Sequence, residues 1–349
     1  MAAPPQPMTQ ALIAAPTLAF VLALAGIALL QRAVGALPPD VPNARSLHAG
    51  PVPRAGGYAI WLGFLSAALV FEPAFPGGLI GWLPPFLALA VVSGLDDARE
   101  VGVVARLSVH AAAAAWAAGF IVRAGGIAMP DALFVAAFVA LVIAWSSNLY
   151  NFMDGTDGLA ATMGAVGFAA YGAAALAASQ DGGAGTRAAP AFFALACAIL
   201  PFLAVNRPRA TMFLGDVGAV PLGYLAATFG IAGIVQHLWP AWFPLLVFLP
   251  FIADATFTLA RRIARRERLW EGHRNHYYQR LALLGAGHRG TLAIYASLIA
   301  ASALTATVLR AASPDAGWWA LAASCIVLII VFAAIDYHWH KKTGIPSPR

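Results

Sequence analysis

The stretch Ala11-Leu-Ile-Ala-Ala-Pro-Thr-Leu-Ala-Phe20-Val-Leu-Ala-Leu-Ala-Gly-Ile-Ala-Leu-Leu30 runs for twenty residues without a charge. Twenty apolar residues are what a helix needs to cross a bilayer, where backbone groups must find partners within the helix itself. No basic residue precedes the run in Met1–Gln10. It therefore reads as a retained first helix and not as a cleaved signal peptide. The same pattern recurs along the 349 residues, which are 61% hydrophobic and only 10% charged, with a mean hydropathy of +0.76. A soluble domain carries about 25% charged residues. Lipid must therefore be the solvent for much of this chain.

Working outward, candidate spans fall at 11–31, 57–71, 79–95, 107–123, 131–147, 159–179, 189–205, 218–236, 241–260, 291–311 and 316–335. The expected fold is all-α, a polytopic transmembrane bundle of about eleven helices in a single integral membrane domain. Pro, Gly and charge punctuate the breaks, as at Glu72-Pro73, Gly125-Gly126 and Ser313-Pro314-Asp315. Cys197 and Cys325 lie inside apolar runs and carry no redox signal. With the N-terminus outside, the segments 32–56, 96–106, 148–158, 206–217, 261–290 and 336–349 face inward and hold 18 of the 21 Lys and Arg residues. That asymmetry predicts a periplasmic N-terminus and a cytoplasmic C-terminus. It also accounts for the net charge of +6 as a topology and anionic-lipid signal, not a nucleic-acid footprint.

The polar groups then fall on one side. Asp96, Asp97, Glu100, Asp154, Asp157, Asp216, Glu267 and Glu271 are all placed on the cytoplasmic face, in loops 96–106, 148–158, 206–217 and 261–290, which share that face with loop 32–56. Gly94-Leu-Asp96-Asp97 ends a span with two carboxylates, against the negative end of the helix dipole, a placement that a cation can offset. Asn148-Leu-Tyr-Asn151-Phe-Met-Asp154-Gly-Thr-Asp157-Gly158 repeats oxygen ligands every third residue and contains no Lys or Arg. Such oxygens suit a hard cation such as Mg²⁺, which keeps phosphates and waters in its shell. Phe213-Leu-Gly215-Asp216 enters the eighth span, where a lone acid also reads as a helix N-cap.

Two basic segments complement these acids. The run Arg261, Arg262, Arg265, Arg266 and Arg268 reads as a topology signal with lipid-headgroup contacts, whereas His273-Arg274-Asn-His276 gathers donors suited to diphosphate oxygens. In the first inward loop, Arg45, His48 and Arg54 sit among turn formers and are candidates for phosphate contact. Asp254, inside a span, is a functional candidate by location alone, with Arg261 or Arg262 the expected partner. Acids for Mg²⁺ and bases for phosphate on one membrane face point to phosphoryl transfer, in which a protein mainly positions groups and neutralises charge.

Taken together, Arg45-Ser-Leu-His48…Pro53-Arg54-Ala-Gly56-Gly57, Gly94-Leu-Asp96-Asp97, Asn151-Phe-Met-Asp154-Gly-Thr-Asp157-Gly158, Leu214-Gly215-Asp216 and His273-Arg274-Asn-His276 resemble the polyprenyl-phosphate N-acetylhexosamine-1-phosphate transferase superfamily, in order and over residues 43 to about 281. The span count looks like the bacterial branch that initiates O-antigen and related lipopolysaccharide glycans. The His-Arg-Asn-His set departs from the His-rich triple of the peptidoglycan branch. The resemblance implies transfer of HexNAc-1-phosphate from a UDP-N-acetylhexosamine to undecaprenyl phosphate, releasing UMP, in the bacterial inner membrane. It implies Mg²⁺, with Mn²⁺ as a substitute, on Asn151 and Asp216. Asp96, Asp97, Asp154 and Asp157 become catalytic candidates. Arg45, His48, Arg54, Asn148, His273, Arg274 and His276 become substrate contacts. Membrane lipids and a second copy in a homodimer are the further partners, and no nucleic acid is expected. The sugar stays open among N-acetylglucosamine, N-acetylfucosamine and N-acetylquinovosamine. A secondary transporter is the rival class, but transporters place their charges at the midplane of repeated halves, and no repeat is visible here. A CDP-alcohol phosphotransferase shares Asp154-Gly-x-Asp157-Gly but has further spaced aspartates that this chain lacks.

Overall fold

The computed structural model describes residues 8–40, 50–178, 183–267 and 274–343. Among these, thirteen helices follow in order: α1 (Met8–Arg32), α2 (Gly56–Val70), α3 (Gly78–Ala98), α4 (Val103–Ala124), α5 (Asp131–Phe152), α6 (Leu159–Ala177), α7 (Ala184–Asn206), α8 (Asp216–Val235), α9 (Trp242–Val247), α10 (Leu249–Ala264), α11 (Tyr277–Leu281), α12 (Gly287–Ala312) and α13 (Gly317–Thr343). Nine helical stretches among the described residues are long and apolar enough to cross a membrane, α11 and α12 forming one of them through a π-turn at Ala282–Ala286. The chain is an all-α, multi-pass membrane protein.

The other two expected spans take different forms. Helix α2 has 15 residues, about 22 Å at 1.5 Å per residue, less than the hydrocarbon thickness of about 30 Å. The span expected at 241–260 is divided into α9 and α10 at Phe248, where the backbone leaves helical geometry just ahead of Pro250. Prolines lie inside α1, α3, α7 and α8, which a membrane helix tolerates where neighbouring helices, hydroxyl side chains, waters or local backbone adjustment satisfy the freed groups.

Helix α8 is the most buried span, enclosed by α2, α3, α4 and α5, while α7 packs on both α6 and α1. Small residues make this possible, because association within lipid relies on close van der Waals approach. A Cβ on Gly57 would lie 2.5 Å from the backbone of Gly218, so the first turns of α2 and α8 cross at backbone contact. The Trp61 indole N–H then donates to the Val217 carbonyl at 2.7 Å across the same crossing.

The ends of α3, α5 and α7 gather with the starts of α4, α6 and α8 at one end of the bundle. A two-residue antiparallel pair, β1 (Pro39–Asp40) with β2 (Val52–Pro53), lies at this end. The chain after β2 is laced to the approach to α8: the Phe213 N–H donates to the Pro53 carbonyl, and the Ala55 and Gly56 N–H groups donate to the Phe213 carbonyl. This lacing places Arg54 above the end of α3. Contacts at the opposite end are sparser in charge, for example the Arg310 Nε donating to the Leu238 carbonyl and the Trp242 indole to the Pro314 carbonyl.

Candidate active site

Asp97 lies in the last turn of α3 with its side chain 2% exposed. Its Oδ1 accepts the Asp216 N–H at 3.0 Å and its Oδ2 accepts the Val217 N–H at 2.9 Å. These are N–H groups left over at the start of α8, which no residue within that helix can satisfy. Asp216 is therefore not the N-cap expected from its flanking glycines. Gly215 holds the cap position, at φ +75°, and Asp97 supplies the acceptor from another helix. Glycine is required there twice over, because a Cβ would also meet Asp97 Oδ2 at 2.7 Å. With its backbone N–H engaged, Asp216 is left with its carboxylate to offer the pocket.

That carboxylate is 24% exposed and has two neighbours. The Asn151 amide donates to its Oδ2 at 3.1 Å, and Arg106 Nη1 lies 3.6 Å from the same oxygen. Arg106 also grips Asp96, whose other oxygen accepts the Val101 N–H at 2.8 Å and closes the turn from α3 to α4. Arg54 bridges on the other side, 2.5 Å from Asp40 and 4.0 Å from Asp97. The structure thus brings Asp96, Asp97, Asn151, Asp216 and Arg54 into one cluster. It adds Arg106 and Asp40, which sequence reasoning did not single out.

The segment expected as a loop from 148 to 158 is partly helical, since α5 continues to Phe152. Asn148 and Asn151 are therefore three residues apart on one helical face. Asn148 donates back to the Ala144 carbonyl at 2.8 Å. Asp154 follows in the turn, half-buried. Burial first, then the charges of Asp216 and Asp97, push its carboxyl well above the usual carboxylate range. Asp157 is spent differently. Its Oδ2 accepts the Ala210 N–H at 3.2 Å and its Oδ1 lies 3.2 Å from His288 Nδ1. Next to it, Asn206 accepts the Gly158 N–H at 2.9 Å and donates to the Met212 carbonyl. Asp157 and Asn206 thus fasten the floor of the site by joining α6, the turn after α7 and the start of α12. The sequence signal for Asn206 is a polar residue ending an apolar run.

Of the basic candidates, Arg45, His48 and His273 lie outside the described residues. His276 is 4% exposed, with Nδ1 3.2 Å from Asp254 Oδ1. Its ring lies 6.1 Å from that of Phe152, beside the turn carrying Asn151 and Asp154. Arg274 stands just before it, at the described edge of the same loop. The expected pairing of Asp254 with Arg261 or Arg262 is not what forms. Arg261 makes a two-pronged ion pair with Asp336 of α13, at 2.9 and 2.6 Å, and Arg262 pairs with Glu267 at 2.9 Å. Asp254 lies two turns back along α10 and takes its partners from Thr258 on the same helix, from the start of α11 and from α12. Two of the arginines expected as lipid-facing topology signals are thereby used in packing.

Among the described residues, no three His, Cys, Asp or Glu side chains converge at metal-ligand spacing. A Mg²⁺ ion asks for only one or two protein carboxylates, with substrate phosphates and waters completing its octahedron. The Asp216 carboxylate beside the Asn151 amide fits that requirement, with the raised Asp154 carboxyl as a further oxygen within the same cluster.

An acidic cluster with Arg54 and Arg106 at its edge, at one end of an apolar bundle, has the chemistry to take a cation and phosphorylated ligands. Residues 79–234, from α3 to α8, match the model described as Glycosyl transferase family 4 and include Asp96, Asp97, Asn151, Asp154, Asp157 and Asp216. The chain is 25% identical over 305 residues to the probable undecaprenyl-phosphate N-acetylglucosaminyl 1-phosphate transferase of Bacillus subtilis, covering 85% of this chain and 82% of that one. It is 28% identical over 287 residues to the decaprenyl-phosphate N-acetylglucosaminephosphotransferase of Mycobacterium tuberculosis, covering 72% and 71%. It is 27% identical over 264 residues to the undecaprenyl-phosphate alpha-N-acetylglucosaminyl 1-phosphate transferase of Yersinia pestis, covering 70% of each. The chain is thus similar, through the helices that carry the acidic cluster and over most of its length, to polyprenyl-phosphate N-acetylglucosamine-1-phosphate transferases.

Proposed function

We propose that this protein transfers HexNAc-1-phosphate from a UDP-N-acetylhexosamine to undecaprenyl phosphate, yielding undecaprenyl-diphosphate-HexNAc and UMP, as the first step of O-antigen, lipopolysaccharide or related cell-envelope glycan synthesis. The observation that carries this reading is the convergence of Asp97, Asn151 and Asp216, from three separate helices, on one pocket. The relatives' activities support the reaction class. In this reading the whole chain is one integral domain of the bacterial inner membrane. About eleven helices span it, counting α2 and the broken pair α9–α10, and the site faces the cytoplasm, as the Lys and Arg asymmetry predicts.

Asp216 and Asn151 would hold Mg²⁺, or Mn²⁺ in its place, and the ion would neutralise charge on the diphosphate as it is cleaved. Asp154 supports that pair from the adjoining turn. Asp97 holds Asp216 in place through the first turn of α8. Asp96, fastened to Arg106, sets the edge where the lipid phosphate approaches, and Arg54 faces the same edge. Asp157 keeps the floor closed. Arg274 and His276, with His273, Arg45, His48 and Asn148, contact the sugar diphosphate and nucleotide. An anionic oxygen of the lipid phosphate attacks the sugar-bearing phosphorus, the bond from that phosphorus to the bridging oxygen breaks, and UMP leaves. With its second pKa about 6 by analogy with a phosphorylated side chain, the attacking phosphate is largely ionised near neutral pH, so no strong general base is required.

The test is UMP release by the purified protein in detergent or nanodiscs with undecaprenyl phosphate, Mg²⁺ and a panel of UDP-sugars that includes UDP-N-acetylglucosamine. Release that needs both the lipid phosphate and the divalent ion is the expected result. Absence of release with every sugar would overturn the proposal.

A further inference from the structure

Helix α11 is too short to be stable alone, yet its first residues are among the best-fixed groups in the molecule. Asp254, on α10, is completely buried in apolar surroundings. A carboxylate there costs several kcal/mol unless hydrogen bonds satisfy it. Five donors do so. Oδ1 lies 3.2 Å from His276 Nδ1 and accepts the Tyr277 N–H at 2.9 Å and the Thr258 hydroxyl at 3.3 Å. Oδ2 accepts the Tyr278 N–H at 3.0 Å and the Tyr295 hydroxyl at 2.5 Å. With so many donors converging, neither oxygen is free to turn.

We infer that Asp254 is a positioning residue that fixes the ring orientation and tautomer of His276 toward the nucleotide sugar; the inference rests on the functional reading above. A carboxylate only accepts, so the Nδ1 facing it carries the proton. Nε2 then becomes the nitrogen turned away from Asp254. It accepts from a hydroxyl in the neutral ring and donates to a diphosphate oxygen in the charged ring. Two further contacts aim the ring. It stacks on Tyr278 at 5.7 Å, and the Tyr278 hydroxyl donates to the Phe152 carbonyl at 3.0 Å, tying α11 to the turn that carries Asn151 and Asp154. From the other side, Asp336 clamps the same short helix by accepting from Arg280 at 2.7 Å and from the Tyr277 hydroxyl at 3.2 Å. An intramembrane carboxylate thereby reaches the candidate site through one imidazole.

The experiment compares wild type, Asp254→Asn, His276→Gln and the double variant by UMP release, with UDP-sugar and undecaprenyl phosphate varied separately. Carboxylates standing behind metal-ligating histidines contribute about ten- to hundred-fold, and the same order is expected behind a substrate-binding one. The expected result for Asp254→Asn is a rise of that size in KM for the UDP-sugar, with KM for the lipid phosphate nearly unchanged. General loosening of the fold would raise both. In the His276→Gln background, Asp254→Asn should add less than about threefold, because the two act as one unit. Should Asp254→Asn not accumulate, Asp254→Glu keeps the charge, displaces the oxygens by one methylene and is expected to give the same split between substrates. An active wild type whose Asp254 variants leave KM for the UDP-sugar unaltered, or whose losses multiply in full with His276→Gln, overturns the positioning role. A wild type that releases no UMP overturns the functional reading instead.

Discussion

Asp97 caps the helix that begins at Asp216. Its two oxygens accept the N–H groups of Asp216 and Val217, from a helix 119 residues away in sequence. An acceptor at a helix start contributes about 0.5–2 kcal/mol, and a negative charge there is favoured by the helix dipole. Asp97→Ala is therefore expected to lower the thermal midpoint and to cut turnover together. Asp97→Asn retains one acceptor and should recover more stability than activity. Thermal unfolding in detergent beside UMP release checks both, and an Asp97→Ala protein as stable as wild type would remove the capping role.

Asp216 presents the opposite case. Its side chain receives the Asn151 amide and lies 3.6 Å from Arg106, and among the described residues it accepts from no backbone N–H. Asp216→Asn should abolish UMP release while leaving chromatographic behaviour and melting close to wild type. Near-normal turnover in that variant would remove the metal assignment of Asp216.

Much of this organisation is readable from the chain. Span positions follow from apolar run length, and the grouping of Asp96, Asp97, Asp154 and Asp216 at one end follows from spans alternating in direction. Pairing is not readable. Nothing local marks Asp97 as the cap of α8, Arg106 as the link between Asp96 and Asp216, or α11 as the source of Asp254's partners, because each depends on which helices become neighbours. The expected Asp254 partners were close in sequence along α10, whereas Arg261 faces α13 and Arg262 turns to Glu267. The break at Phe248 escaped for a related reason. Hydropathy stays high through it, and only backbone geometry reveals the bend.

Asp154 sets a pH dependence. Its carboxyl titrates above its unfolded value because burial and the nearby Asp216 and Asp97 charges oppose ionisation. The folded state then binds a proton that the unfolded state has already lost. The stability this group contributes is complete below the unfolded carboxylate pKa of about 4 and falls as pH rises through the raised folded value. With EDTA present, the melting midpoint should decline as pH is raised. Mg²⁺ should restore it most at high pH, and Asp154→Asn should flatten the profile. A midpoint that rises with pH in the wild type but not in Asp154→Asn would contradict this sign.

The basic loop separates into contacts of unequal weight. His276 is buried and fixed beside the Asn151–Asp154 turn, whereas Arg265 reaches, among the described residues, Glu267 at 3.9 Å, with a third of its side chain exposed. Exposed ion pairs contribute little. His276→Ala should therefore reduce UMP release by at least tenfold more than Arg265→Ala. Equal, small effects would make the whole loop a topology signal.

Asp336 governs the far side of α11. It takes two hydrogen bonds from Arg261, one from Arg280 and one from the Tyr277 hydroxyl, and the Tyr277 ring stacks on Phe332 at 3.9 Å. Removing one partner of a buried pair costs more than the pair contributes, because the remaining charge stays desolvated. Arg280, with its side chain 5% exposed, would be left in that position by Asp336→Asn. Asp336 itself is 18% exposed, so water offsets part of the loss and about 2 kcal/mol is expected, below the value for a wholly buried pair. The thermal midpoint should fall by several degrees. The KM for UDP-sugar should rise less than in Asp254→Asn, because Asp336 holds the side chains of α11 and not the imidazole. If Asp336→Asn melts with wild type while matching Asp254→Asn in KM, then Asp336 acts on His276 directly and the division of labour between the two carboxylates is wrong.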